Sequence, residues 1–387
     1  MEEKTQIKYS GLSGNEMYCV ALLGYSPGNI VIGNSVYAMG LIRQFGSGIR
    51  TIVGGEINQL TNIIAQGRQL SINRFNEELA KNNSNGACGI TSELVMHPNN
   101  VEFLTIGSGL HRQDNINNYT FTSSSDGQEL FCQWDIGYQP ISFVFGNVAY
   151  SIGVTKGIIG SLRQVAKGEV KQYSDIFNTT RNLALERIVN EARSVNANSV
   201  IGIRTTILPV DLTAKIHEMI MIGTASYNQQ LAETASSVGG VITSDLTAEE
   251  TWNIAKLGYV PLKLVLSTSV YSLGLIGGVK ASFKNLVKGE ITELTNMIYG
   301  AREQAINKLL EQAQSINADD ILGIKTYIYN LGSGLIEFLA IGTAVKKVDG
   351  LSSLTQQLPP QAIIRDKTTF VNVGNFSIAR DLQNPEQ

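Results

Sequence analysis

The stretch AREQAINKLLEQAQSINADDILGIKT, residues 301–326, decides the fold. Its first half continues an apolar stripe that begins upstream: Ile291, Leu294, Ile298, Ala305, Leu309, Ala313 and Ile316 recur at helical spacing. Asn317 follows, a residue that tolerates the left-handed conformation at a helix exit. DILGIKTYIYN (320–330) then reads as a strand, and LIEFLAIGTAV (335–345) as a second, joined to it by a Gly-Ser-Gly turn. Helix, exit and two strands form an α+β unit in which a helix of about 26 residues, roughly 40 Å long, lies across an antiparallel sheet. One residue breaks the pattern. Arg302 stands in the middle of the apolar stripe, between Ile298 and Ala305.

The same unit occurs three times. Gly24-Tyr25, Gly137-Tyr138 and Gly258-Tyr259 open an ungapped frame that runs through Tyr37, Tyr150 and Tyr271, then Glu56, Glu169 and Glu290, then Arg68, Arg181 and Arg302, to Gly89, Gly202 and Gly323. The offsets between copies are 113 and then 121 residues. Asn83 and Asn196 hold the position of Asn317, and Pro27, Pro140 and Pro261 keep the same register. Agreement over so many positions defines a tandem triplication of units long enough to own cores. The expected boundaries are an extension at 1–14, repeats at 15–112, 128–227 and 250–346, and a tail at 347–387 containing the strand-like TTFVNVGNFSI. Ser-, Thr-, Asn- and Gly-rich stretches between the copies read as linkers. Each copy opens with two apolar runs around the proline. In copy three these are WNIAKLGY and LKLVLSTSVYSLGLIG, both read as strands.

Composition limits the function. The chain has 387 residues, 30 Lys+Arg against 33 Asp+Glu, and a formal charge of −3. It lacks the basic excess of a general nucleic-acid binder or a polybasic membrane surface. No apolar run reaches the ~20 residues of a spanning helix, and the N-terminus has no secretory h-region. Three cysteines, Cys19, Cys88 and Cys132, make no disulfide framework, so a reducing, cytoplasmic setting is expected. At 16% charged residues against 43% hydrophobic, much surface is expected to be apolar, uncharged or covered by a partner.

GIRTIVGGE (48–56), residues 301–326 and EFLAIGTAV (337–345) together resemble the YbjQ-type domain, a family that carries a heavy-metal-binding label. Copy three matches that pattern most fully. Copy one exits its helix through NSNGACGI, and copy two has Lys167-Gly168 where the turn's double glycine stands. The resemblance implies three dodecin-like domains that assemble into rings, often pentamers. For this chain that gives pentamer-based stacked rings or a larger ring, barrel, tube or shell, with the tail strand available for edge pairing.

The candidate chemistry is sparse. The metal label finds no repeated ligand set: His97, His111 and His217 do not correspond between copies, and Asn253 replaces the cysteine of Cys19 and Cys132. No phosphate loop and no nucleophile–base pair appears, so no cofactor and no enzymatic activity is expected. The repeated arginine needs a partner if buried. Glu102, Glu218 and Glu337, each five residues before the final strand's Gly107, Gly223 or Gly342, supply one. The expected pairs are Arg68–Glu102, Arg181–Glu218 and Arg302–Glu337, within a domain or across an interface. They are either ion pairs that fix register or assembly, or sites for an anionic ligand. Glu56, Glu169 and Glu290 are expected at helix N-termini, and Tyr37, Tyr150 and Tyr271 in packing or interfaces. The reading is a non-catalytic, self-assembling structural protein. The alternative is a module binding metal ions or small ligands at domain interfaces.

Overall fold

The computed structural model describes residues 9–38, 40, 55–112, 120–151, 168–211, 216–272, 292–332, 335–348 and 353–356. Copy one contains α1 (Gly14–Leu22), β1 (Tyr25–Ala38), α2 (Asn58–Lys81), β2 (Gly86–Met96) and β3 (Asn100–Arg112), followed by the short β4 (Phe121–Thr122). Copy two contains α3 (Gly127–Asp135), β5 (Gln139–Ser151), β6 (Gly168–Glu169), α4 (Lys171–Ser194), β7 (Ser199–Asp211) and β8 (Ile216–Tyr227). Then come α5 (Ala232–Ser237) and β9 (Ile242–Thr243). Copy three contains α6 (Ala248–Lys256), β10 (Tyr259–Ser272), α7 (Thr292–Ser315), β11 (Asp320–Gly332) and β12 (Leu335–Lys347). The molecule is α+β, with three YbjQ-like units in tandem.

In each unit the last strand lies in the middle. β3 pairs antiparallel with β1 and β2, β8 with β5 and β7, and β12 with β10 and β11. The long helix, 24 residues in every copy, crosses this sheet. It comes so close that a Cβ at Gly33 would run into the backbone of Ser71 and Phe75, and one at Gly146 into that of Ala184 and Ile188. Asn83, Asn196 and Asn317 leave the helices at φ of 50°, 56° and 54°, the left-handed exit that asparagine tolerates.

The opening segments depart from the sequence expectation. Residues before each Gly-Tyr are helix, not strand. The reason is local: Ser13 with Glu16, Asp126 with Glu129 and Thr247 with Glu250 each form a reciprocal capping box. Gly24, Gly137 and Gly258, at φ near +80°, end these helices, and this explains the recurring Gly-Tyr. α1 packs on α3 and α3 on α6, so the short helices stand in a row.

The polar connections also carry structure. β4 adds a parallel strand to β2, and β9 does the same to β7. A cut at the expected boundaries would strip β4 and β9 from the sheets they complete. In the tail, Thr355 donates through N–H and Oγ1 to the carboxylate of Asp135, which also accepts from Trp252 Nε1 at 2.7 Å. The strand expected at TTFVNVGNFSI lies outside the described residues.

Apolar cores run across the copy boundaries. Ile57, just ahead of α2, and Leu60 and Ile64 of α2 pack with Val101 and Phe103 of their own sheet and with Ala149 and Ile216 of the next. Tyr173 and Phe177 of α4 share a cluster with Leu266, Val270 and Leu339 of copy three. Each of these two helices is therefore covered on both sides.

Candidate functional site

Two seams, between copies one and two and between copies two and three, hold the buried arginines. The exit direction of each arginine sets their geometry. Its side chain leaves the helix on the side facing the next copy's sheet. Arg68 does not meet Glu102. It donates from Nε to Glu218 Oε1 at 3.0 Å and from Nη2 to Glu218 Oε2 at 2.7 Å, with both groups fully buried. Arg181 does not meet Glu218. Its Nη2 lies 2.7 Å from Glu337 Oε1 and 2.8 Å from Oε2, again fully buried. The expected residue types are brought together, shifted forward by one copy. Glu337 is thereby taken by Arg181, and Arg302 is exposed, over the Tyr299 ring at 5.9 Å.

The rest of each seam repeats. Asn147 Nδ2 donates to Glu218, and Thr268 Oγ1 donates to Glu337. On the helix side a hydroxyl accepts from the next copy's strand: Ala149 N–H donates to Thr61 Oγ1, and Val270 N–H to Ser174 Oγ, both at 2.9 Å. Ahead of the helix the main chain joins the same strand, with Ile57 N–H donating to Ala149 O and Val170 N–H to Val270 O. Glu56 bridges Tyr150 and Glu169 pairs with Tyr271.

These glutamates correct the helix-terminus expectation. Glu56 and Glu169 sit in extended backbone before helices that begin at Asn58 and Lys171. Their carboxylates pair forward, Glu56 with Arg187 at 2.7 Å and Glu169 with Lys308 at 2.9 Å. Glu290 lies outside the described residues. Of the tyrosines, Tyr37 is half-buried edge-on to Phe103, while Tyr150 and Tyr271 are buried. Burial pushes the Tyr150 phenol up to about 12, and its oxygen accepts from Arg181 Nη2. Burial likewise holds Glu337 above the ordinary carboxylate range, while Arg181 and the Thr268 hydroxyl pull it down.

Sequence reasoning missed the repeated hydroxyl at Thr61, Ser174 and Thr295 and the repeated base at Arg74, Arg187 and Lys308. Both series keep the 113- and 121-residue offsets, so the frame contained the signal.

The family model described as "Putative heavy-metal-binding", the YbjQ type, matches residues 26–106, 137–229 and 250–348. The chain belongs to this family. It is 28% identical over 237 residues to an encapsulin nanocompartment protein of Mycobacterium tuberculosis, covering 58% of this chain and 87% of that protein. A UPF0145 protein of Thermosipho africanus is 38% identical over 85 residues, 22% of this chain and 79% of the relative. One of Sulfurisphaera tokodaii is 35% identical over 82 residues, 21% and 72% respectively. The single-unit relatives match a stretch of about one YbjQ unit.

The heavy-metal label of the YbjQ family does not fit the described residues. Among them, no three His, Cys, Asp or Glu side chains converge. All three cysteines are buried thiols. Burial raises the Cys19 thiol to about 11 and pushes the Cys88 thiol further up, away from the thiolate that a soft metal needs. His97 faces Glu102 at 3.0 Å and His111 faces the Asn83 carbonyl at 3.2 Å. A pocket of about 210 Å³ between copies two and three is lined by Arg204, Lys325, Glu129 and Asp245. Its cations are already paired, Arg204 with Glu129 at 2.6 Å and Lys325 with Asp245 at 3.1 Å. The described helices include none long and apolar enough to cross a membrane.

Proposed function

We propose that this protein is a non-catalytic structural subunit that self-assembles through its YbjQ units into a closed ring, barrel, tube or shell. The observation that carries this reading is the pair of like seams. Each is built from the same helix, strand and ion-pair positions, and each buries an arginine whose counter-ion comes from the neighbouring copy. A domain made this way completes its core against another domain of its own kind. The name of the mycobacterial relative, a nanocompartment protein covered over 87% of its length, supports a shell as the form of the assembly. Stacked pentamer-based rings are one arrangement that such units can build.

The test is the mass of the native particle, by light scattering and native mass spectrometry, with negative-stain images of the same sample. Closed particles of many chains are the expected result. A single 42.0 kDa chain at every concentration overturns the reading.

A further inference from the structure

The seams have a direction. In both, the helix and arginine of one copy enter a socket on the sheet of the following copy. Within residues 1–387 the family model matches no unit after copy three and none before copy one. The two ends are therefore complementary halves of a third seam.

The socket on copy one is already built. Glu102 stands opposite Val36 in the sheet, as Glu218 stands opposite Ala149 and Glu337 opposite Val270. Asn34 Nδ2 donates to Glu102 at 3.0 Å, the contact that Asn147 makes to Glu218 and Thr268 to Glu337. This socket differs in that Glu102 also meets His97 Nε2 at 3.0 Å, and in its cover. Ile32 is 52% and Val36 56% exposed, while their counterparts Phe145, Ala149, Leu266 and Val270 are exposed by 5% or less. The plug is on α7 of copy three. Arg302 and Thr295 are exposed where Arg68, Arg181, Thr61 and Ser174 are buried. An arginine and two apolar strand residues left in water at one seam position, and buried at the other two, have the chemistry of a separated interface.

We infer that α7 of one chain docks on the outer face of β1 of a second copy, with Arg302 paired to Glu102 and Thr295 accepting from the Val36 N–H. The contact is heterologous: the two partners use different surfaces, so it propagates from chain to chain until it closes. The inference rests on the self-assembly reading and adds the surface by which it occurs.

The test mixes two variants of the full chain, Val36→Cys and Thr295→Cys, under mild oxidation. The mixture is expected to give cross-linked dimers that neither variant gives by itself. Arg302→Glu and Glu102→Arg are each expected to raise the chain concentration needed for assembly roughly thirty-fold or more. The double variant carrying both substitutions is expected to restore assembly, which a mere folding defect would not allow. Dimers from Val36→Cys alone would mean that two β1 faces meet each other, and would overturn the inference. Native particles that ignore Arg302→Glu and give no mixed cross-link would overturn it while leaving self-assembly intact. A wild-type chain that never assembles removes both.

Discussion

The two seams solve one problem differently. Arg68 is satisfied by hydrogen bonds: two to Glu218 and two more, from Nη1, to the Ser92 carbonyl and hydroxyl. Arg181 puts one nitrogen on Glu337 and Tyr150, and lies over the rings of Tyr150, Phe177 and Tyr329 at 5.4–5.7 Å. Its Nε and Nη1 have no hydrogen-bond partner among the described residues. A buried guanidinium can thus be held by a polar network or by an aromatic enclosure with a single carboxylate. The first fixes direction. The second tolerates rearrangement, because ring faces accept a cation over a broad area.

The largest expected effect breaks the polar seam. Glu218→Ala leaves Arg68 without its counter-ion in a dry site, at a cost of about 3–5 kcal/mol in urea denaturation. A loss under about 1 kcal/mol would show that water enters the seam. Next, replacing both partners separates the two designs. Arg181→Met with Glu337→Leu takes one partner each from the Thr268 and Tyr150 hydroxyls but keeps an aromatic enclosure that accepts apolar side chains, so a cost of about 1–2 kcal/mol is expected. Arg68→Met with Glu218→Leu strands Ser92 and Asn147 and is expected to cost about 2 kcal/mol more. Equal values would erase the distinction.

Smaller effects sharpen it. Glu191, on α4, accepts from Phe145 N–H at 3.0 Å. Burial raises its carboxyl from 4.5 to about 7, against the pull of that amide. The stability tied to its neutral form is full below about pH 4.5 and is lost as pH rises through about 7. Glu191→Gln should therefore be more stable than wild type at pH 8, by about 1–3 kcal/mol, with the gap closing by pH 4.5. Thermal melts at both values decide it. Last, Tyr150→Phe removes one hydroxyl from the aromatic seam and keeps the ring, so a cost of about 1 kcal/mol is expected. A cost above about 3 would make the hydroxyl, not the ring, the important group.

What the sequence showed and what it hid follow from the repeat itself. The frame exposes every position that recurs, so the long helices, the asparagine exits and the arginine–glutamate types are legible. It cannot show which copy answers which. Arg68 with Glu102 and Arg68 with Glu218 differ by about one repeat, and no spacing within a copy distinguishes them. Only the side on which the guanidinium leaves the helix does so, and that depends on packing. The opening helices were hidden for another reason. WNIAKLGY (252–259) is apolar enough for a strand, and the deciding residues, Thr247 and Glu250, both lie ahead of it. The forward pairing of Glu56 was hidden because a carboxylate two residues before a helix resembles one at its first turn.

Tandem linkage changes how such an assembly answers to dilution. Two joints of every three are made inside one chain, where a tethered partner stands at an effective concentration on the order of millimolar. Those joints stay closed however thin the solution. In the docking inferred above, only the joint between Arg302 and Glu102 reads the number of chains present, so a seam too weak to hold single domains together can still assemble chains that arrive with two-thirds of their joints already made.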